Sequence, residues 1–383
     1  MTQTVVVPLD GSELGETALP WAAALAREHG FSLTLVRVVP WPDIPAGEFG
    51  GYFSPEVYDE VLAAERGAAQ EYLARLQEEL QKTDLEVNTV IREGMAAEGI
   101  HDVADELGAY AVAMASHGRG GVVRLVLGSV AERLLQQATI PVLLVRAGGP
   151  SRPVSFQRVL VPLDGSALAE RGLDEARRLA TGDATIVLLR VVEPVYDVIG
   201  SDDTALVVND EATAQAEAEA KAYLDALAKK LADEGARVEQ VLRRGRSASE
   251  ILEAVAQSNV NAIIMTTHGN TGPTRWLMGS VADEVFRHAN LPVLLVSART
   301  LTARVAGPYT VRDLMTRDIA YVEEDEAVIS VLRKLLRRRV SGAPVVNKNG
   351  DLVGIVSEHD LLAWHSRLVD QLSKDEANLD PAK

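Results

Sequence analysis

Two short segments of this chain end apolar runs with residues that could hold a polar ligand. The first is Pro8-Leu9-Asp10-Gly11-Ser12, and the same five residue types return at Pro162-Leu163-Asp164-Gly165-Ser166. A carboxylate in that place can accept hydrogen bonds from a ribose or a base edge. It can equally cap a helix, and Asp10 with Glu13 has the spacing of a capping box. In the second segment Ala167 takes the position of Glu13, while the Asp remains. The other pair of segments is glycine-rich. One runs Ala115-Ser116-His117-Gly118-Arg119-Gly120-Gly121 and reaches Gly128-Ser129. Its counterpart runs Thr266-Thr267-His268-Gly269-Asn270-Thr271-Gly272 and reaches Gly279-Ser280. Glycines let the backbone turn its N–H groups toward an anion. A helix opening after Gly128 or Gly279 adds unpaired donors and a favourable dipole. The hydroxyl of Ser129 or Ser280 can donate to a phosphate. Each serine can also cap its helix, with Glu132 or Asp283 as partner.

Other chemistries find less support. His117 and His268 have no Ser or Asp partner at a fixed offset, so they are expected to shape the loop by hydrogen bonding. The P-loop pattern G-x4-G-K-[ST] is absent, and no H-x-x-x-H or carboxylate cluster suggests a metal set. Cys is absent from the 383 residues, which removes disulfides, thiolate metal sites and cysteine nucleophiles. The formal net charge is −17, a field that repels nucleic-acid backbones and anionic membranes. A phosphate ligand would therefore need local help from backbone N–H groups or a few Arg residues. No apolar run is long enough to cross a bilayer, and the N-terminus does not read as a signal peptide. A soluble cytoplasmic protein is expected, without nucleic-acid or membrane partners.

The elements that must position these residues occur twice. VVVPLDGS at 5–12 returns as VLVPLDGS at 159–166, and LVRVVP from Leu35 returns as LLRVVEP from Leu188. GSVAERL from Gly128 is answered by GSVADEV from Gly279, and IPVLLV by LPVLLV. The period of roughly 150 residues is domain-sized rather than solenoid-sized. Short β-branched runs in the first copy predict buried parallel strands near Val5–Leu9, Leu33–Val39, Leu85–Ile91, Tyr110–Ala115 and Val142–Val145. Glu71–Thr83 places Leu73, Leu76 and Leu80 on one helical face. Residues 40–60 are expected to form a long loop, with a more acidic counterpart around Tyr196–Glu211 and then a helix to about Asp233. The expected fold class is α/β: two tandem five-stranded parallel doubly wound domains, Rossmann-like, plus a small α+β domain. Their expected extents are 1–148, 155–298 and 308–370. In such sheets a ligand sits outside the C-terminal strand ends where strand order reverses, so the loops after strands one and four should carry the site. The apolar last strands, Pro141–Val145 and Pro292–Val296, are expected to pair the two copies internally.

On these residues the chain resembles the universal stress protein family, whose nucleotide loop reads G-x2-G-x9-G-[ST]. Nine residues lie between Gly118 and Gly128-Ser129, and nine between Gly269 and Gly279-Ser280. The likeness spans essentially residues 1–297. It implies ATP binding, with Asp10 and Asp164 at the adenosine. It also implies phosphate contacts from Gly118, Gly121, Gly128, Ser129, Gly269, Gly279 and Ser280. The first Gly of the family loop is Ala115 here and Thr266 in the second copy. If that position needs φ > 0 or close backbone approach, binding weakens, more so in the second copy. Mg²⁺ could accompany ATP.

The C-terminal segment predicts a helix over Val328–Leu336 with Val328, Val331, Leu332, Leu335 and Leu336 inward. Strands are expected at Ala343–Val346 and Leu352–Val356, joined by a turn at Asn347–Gly350. Gly342-Ala343-Pro344-Val345-Val346, Gly350, Gly354 and Ser357-x-x-Asp360 resemble a single CBS motif. That likeness implies AMP or ADP as ligand, with Ser357 and Asp360 at its ribose. Read by themselves, Ser357 ends a strand and Asp360 caps a helix, and Arg337-Arg338-Arg339 is a solvated helix face. Such motifs usually work in pairs, so a homodimer through this domain is expected. The resulting expectation is a stress-responsive adenine-nucleotide sensor without strong catalysis. A slow ATP-hydrolysing enzyme and a scaffold with empty pockets are the alternatives.

Overall fold

The structure is a computed structural model describing residues 3–41, 55–116, 127–146, 154–199, 205–267, 278–297, 321–328, 330–331, 334–335, 342–357 and 360. The chain divides into two compact units, one of residues 1–270 with 277–306 and one holding residues 307–383.

In the first copy the order is β1 (Thr4–Pro8), α1 (Glu13–Glu16), α2 (Leu19–His29), β2 (Ser32–Val39), α3 (Pro55–Gln81), β3 (Val87–Glu93), α4 (Ala96–Glu106), β4 (Ala111–Ala115), α5 (Ser129–Gln137) and β5 (Val142–Val145). The second copy follows with β6 (Arg158–Leu163), α6 (Ala167–Leu179), β7 (Thr185–Val192), β8 (Tyr196–Ile199), β9 (Ala205–Val208), α7 (Asp210–Asp233), β10 (Arg237–Arg244), α8 (Ser247–Gln257), β11 (Ala262–Thr266), α9 (Ser280–His288) and β12 (Val293–Val296).

The β-branched runs form strands because helices cover both faces of the sheet. Val5 and Val7 enter one hydrophobic core. Val6, between them, enters the other. That alternation lets three consecutive valines of β1 be buried on both faces. Each copy contributes five parallel strands, ordered β3-β2-β1-β4-β5 and β10-β7-β6-β11-β12. Strand β1 therefore has β2 on one side and β4 on the other, and the order reverses there. The crevice beyond the C-terminal ends of β1 and β4 is the place such a sheet offers a ligand.

The two copies join as expected. Strands β5 and β12 pair antiparallel, Val293 opposite Leu144 and Leu295 opposite Val142, which fuses both halves into one ten-stranded sheet. Two apolar edges are thereby covered. Side chains reinforce the seam. Ser297 Oγ donates to Ala138 O at 3.0 Å, the Tyr110 hydroxyl donates to the buried Glu175 carboxylate, and Trp21 meets Phe156 edge-on at 5.8 Å.

Two expectations need correction. The segment 40–60 is not loop throughout, because α3 begins at Pro55. A Pro in the first turn costs no helical hydrogen bond, so this residue opens the helix rather than breaking it. The segment from Tyr196 is not irregular either. Strands β8 and β9 pair antiparallel, Tyr196 opposite Val208, and Asn209 caps α7 by accepting from Ala212 N at 2.8 Å. Among the described residues no helix is long and apolar enough to cross a membrane.

The second unit contains β13 (Val322–Glu323), β14 (Gly342–Val346) and β15 (Leu352–Ser357), with β14 parallel to β13 and antiparallel to β15. The turn closes through Gly350 N to Asn347 O at 2.9 Å, with Gly350 at φ 83°. Val322, Val331, Leu335 and Ala343 form its small core. Val328, expected inward, is 37% exposed. Leu332, Leu336 and Arg337–Arg339 lie outside the described residues.

Candidate functional site

Strand β1 delivers Asp10 to the crevice, and Gly11 at φ 80° turns the chain back toward α1. The helix cap is not Asp10. Ser12 is the N-cap, and its Oγ accepts from Gly15 N at 3.0 Å. Asp10 Oδ1 in turn accepts from Ser12 N at 3.0 Å and Ser12 Oγ at 2.6 Å. The carboxylate is thus positioned by the turn rather than consumed as a cap, and no Asp10–Glu13 capping box forms. The second copy agrees: Ser166 caps α6 by accepting from Ala169 N, and Asp164 Oδ1 accepts from Ser166 N at 2.9 Å. One contact differs. A Cβ on Gly15 would stand 2.7 Å from Asp10 Oδ1, so the carboxylate occupies space that only glycine leaves. The equivalent residue in the second copy is Ala169.

At the other wall, Ala115 ends β4 in register with Val145, and Thr266 ends β11 in register with Val296. Neither has positive φ. The conformational cost anticipated for losing a glycine there is therefore absent. Thr266 is accommodated instead by Gly172, where a Cβ would stand 3.1 Å from Thr266 Cγ2. Gly128 and Gly279, not the serines that follow, are the N-caps of α5 and α9, and neither offers a side-chain cap. Ser129 and Ser280 occupy the first helical position. The first-turn amides of each helix, which have no intrahelical acceptor, are left for a ligand or solvent. Gly128 N is held by Ser116 O at 2.9 Å, which fixes the helix start against the end of β4.

These residues border one cavity of about 400 Å³ in the first copy, within the range of small-molecule sites. Asp10, Ala115, Gly128 and Ser129 all line it, as do Gly15 and Ala96. Val36, Val38, Ile100 and Met114 supply an apolar wall. Gly118 and Gly121, and Gly269 with His117 and His268, lie outside the described residues.

Arg37 also lines the cavity, and residue-type reasoning did not single it out. Its Nη1 donates to Leu9 O at 3.1 Å, and Arg190 Nη1 donates to Leu163 O at the same distance. A cation inside an otherwise apolar run, repeated as LVRVV and LLRVV, was the available signal. Tyr72 does not border the cavity but lies near the Asp10 turn, as Tyr223 lies near Asp164. Burial, then Glu16, holds the Tyr72 phenol protonated far above its usual range, with Asp10 adding to the effect. Burial and Glu170 do the same for Tyr223. Each copy thus keeps a neutral hydroxyl beside its acidic turn. Among the described residues no group of three or more His, Asp or Glu converges as a metal site.

In the second unit Ser357 and Asp360 bind each other. Ser357 N and Oγ both donate to Asp360 Oδ2, at 2.9 and 2.6 Å. Asp360 N points back to Ser357 Oγ at 3.4 Å. The reciprocal pattern is that of a capping box in which Ser357, not Asp360, takes the cap position.

Residues 1–146 and 155–297 each match the universal stress protein family. The chain belongs to this family. Residues 311–367 match the CBS domain, so a CBS segment follows two universal stress domains. A universal stress protein of Mycobacterium tuberculosis (strain ATCC 25618 / H37Rv) is 28% identical over 306 residues, covering 76% of this chain and 96% of the relative. One from Methanocaldococcus jannaschii is 31% identical over 145 residues, covering 37% of this chain and 81% of the relative. The fold is shared with the crystal structure of a universal stress protein from Archaeoglobus fulgidus DSM 4304, at TM-score 0.56 and 19% identity, covering 77% of this chain and 96% of that one. The cavity between β1 and β4 is therefore the switch-point crevice of a universal stress domain.

Proposed function

We propose that this universal stress protein senses adenine nucleotide, with ATP bound in the cavity of its first domain. The observation that carries the reading is the convergence of Asp10, Arg37 and the start of α5 on one cavity with an apolar wall. The chemistry of those groups divides as a nucleotide does. Val36, Val38, Ile100 and Met114 suit the flat face of a base. Asp10 suits ribose hydroxyls. The first-turn amides after Gly128, with Ser129 Oγ, suit phosphate, and Gly118 and Gly121 would complete that cradle. Mg²⁺ would accompany the phosphates. Asp164, Thr266, Gly269, Gly279 and Ser280 are the second domain's counterparts. The protein acts by binding rather than turnover in this reading, in the cytoplasm.

Calorimetric titration of the full chain with Mg-ATP tests it. Binding is expected, and Asp10→Ala should weaken it about tenfold, the loss of one or two polar contacts at roughly 1.4 kcal/mol. Absence of binding by the wild-type chain would overturn the proposal.

For the CBS segment, Ser357 and Asp360 are the proposed contacts for AMP or ADP. Leu352 and Ile355 of β15 are 66% and 75% exposed, an apolar strand that a second chain's CBS segment would cover. Light scattering should give a dimer mass for the full chain; a monomer at high concentration would contradict this pairing.

A further inference from the structure

The two universal stress domains differ where the helix after the third strand begins. In the first domain this is α4, and Ala96 at its start lines the cavity. Its N-cap, Met95, makes no side-chain cap hydrogen bond. The carboxylates nearest in sequence, Glu93 and Glu98, are paired with Arg66 and Arg133; Pro40 follows β2, Trp41 packs on Gly94, and Gly99 faces Val38.

The corresponding start in the second domain is α8, at Ser247. Glu193 stands in the position of Pro40, and its Oε1 accepts from Ser247 N at 3.2 Å and from Ser247 Oγ at 2.7 Å. Glu250 stands in the position of Gly99, and its Oε1 lies 2.6 Å from where a side chain on Gly245 would begin. Arg246, in the position of Met95, is paired with Glu284 at 2.6 Å. The helix start that borders the first domain's cavity is thus, in the second, covered by one of the chain's own carboxylates with another beside it.

One further change narrows the same crevice: Ala169 fills the space that Gly15 leaves beside Asp10.

We propose that Glu193, backed by Glu250, closes the second domain's pocket to nucleotide, so that each chain binds one adenine nucleotide, in the first domain. The inference rests on the nucleotide reading given above. A carboxylate on Ser247 competes for the same amide that a ligand's acceptor would use. It also adds negative charge beside an anionic ligand, an effect that solvent screens because Glu193 is exposed. The second domain then serves as the fixed half of the ten-stranded sheet.

Full-length protein is labelled with 8-azido-ATP and digested, and labelled peptides are mapped. Label is expected only within residues 1–148. In parallel, Mg-ATP stoichiometry is measured calorimetrically for the wild type and for the Glu193→Ala/Glu250→Gly variant. The expected values are one nucleotide per wild-type chain and about two per variant chain. Label in both domains, or two nucleotides on the wild type, would overturn the closure while leaving nucleotide binding standing. A folded variant that still binds one would overturn the role of Glu193 and Glu250. No binding to the wild type would overturn the nucleotide reading, and the closure with it. Should the variant fail to fold, the wild-type labelling decides alone.

Discussion

Thr266 lays its Cγ2 methyl over Gly172, 3.1 Å from the point where a Cβ on that glycine would stand. The equivalent pair in the first domain is Ala115 with Ala18, both buried. One carbon has moved from the helix to the strand, and the sum is nearly kept.

A double-mutant cycle should expose this exchange. Gly172→Ala by itself gains helix propensity of about 1 kcal/mol but crowds Thr266. Thr266→Ala by itself leaves a small void costing about 1 kcal/mol. The double variant recreates the first domain's arrangement, and a favourable coupling of about 0.5–2 kcal/mol is expected from denaturant midpoints. Simple additivity would show that the two sites do not share this volume.

Gly15→Ala should loosen nucleotide binding without unfolding the domain. The new Cβ would lie 2.7 Å from Asp10 Oδ1, so the carboxylate must shift within the turn, where Asp164 beside Ala169 still accepts from Ser166 N. The helix tolerates Ala there, as Ala169 shows in α6. Affinity for ATP is expected to fall by about tenfold, a loss of about 1.4 kcal/mol, with the thermal midpoint held or raised. Unchanged affinity would remove Asp10 from the binding account.

Much of this was legible in the residues because the physics is local. The runs VVVP and PVLLV can only be strands buried on both faces, and the repeated glycine loop fixes which strand ends matter. The seam followed from two apolar edges that had to be covered. What escaped depends on turn geometry and on neighbours distant in sequence. Ser12 rather than Asp10 caps α1, because the turn at Gly11 brings the serine hydroxyl onto Gly15 N. The match of Gly172 to Thr266 spans 94 positions, the difference of the two residue numbers. Arg37 belongs to β2, and its guanidinium is held by Leu9 O, 28 positions away.

Stability should also carry a mark of the seam between the domains. His29 stacks on Phe31 at 5.4 Å, Phe31 packs on Tyr110, and the buried His29 Nε2 has no hydrogen-bond partner. Burial lowers the His29 pKa below its ordinary 6.5. The unfolded chain therefore takes up the proton first, and the stability present above pH 6.5 is lost as pH falls through that value toward the folded one. Glu28 titrates with the opposite sign. Burial raises its carboxyl, against a lowering by Phe156 N–H, so its contribution is present below about pH 4.5 and is lost as pH rises through the folded value. Denaturation midpoints of wild type and His29→Gln, compared from neutral pH downward, should converge as the wild type loses its advantage. Parallel curves would exclude His29 as the source.

The central claim is that the crevice bounded by Asp10, Arg37 and Gly128-Ser129 holds an adenine nucleotide. The most direct measurement is to purify the full chain without added nucleotide, denature it, and identify by mass spectrometry what is released, with the Asp10→Ala chain treated alike. Adenine nucleotide is expected from the wild type, at up to about one per chain, and markedly less from the variant. A wild-type chain that releases none, and takes up none when ATP is supplied before denaturation, would contradict the account.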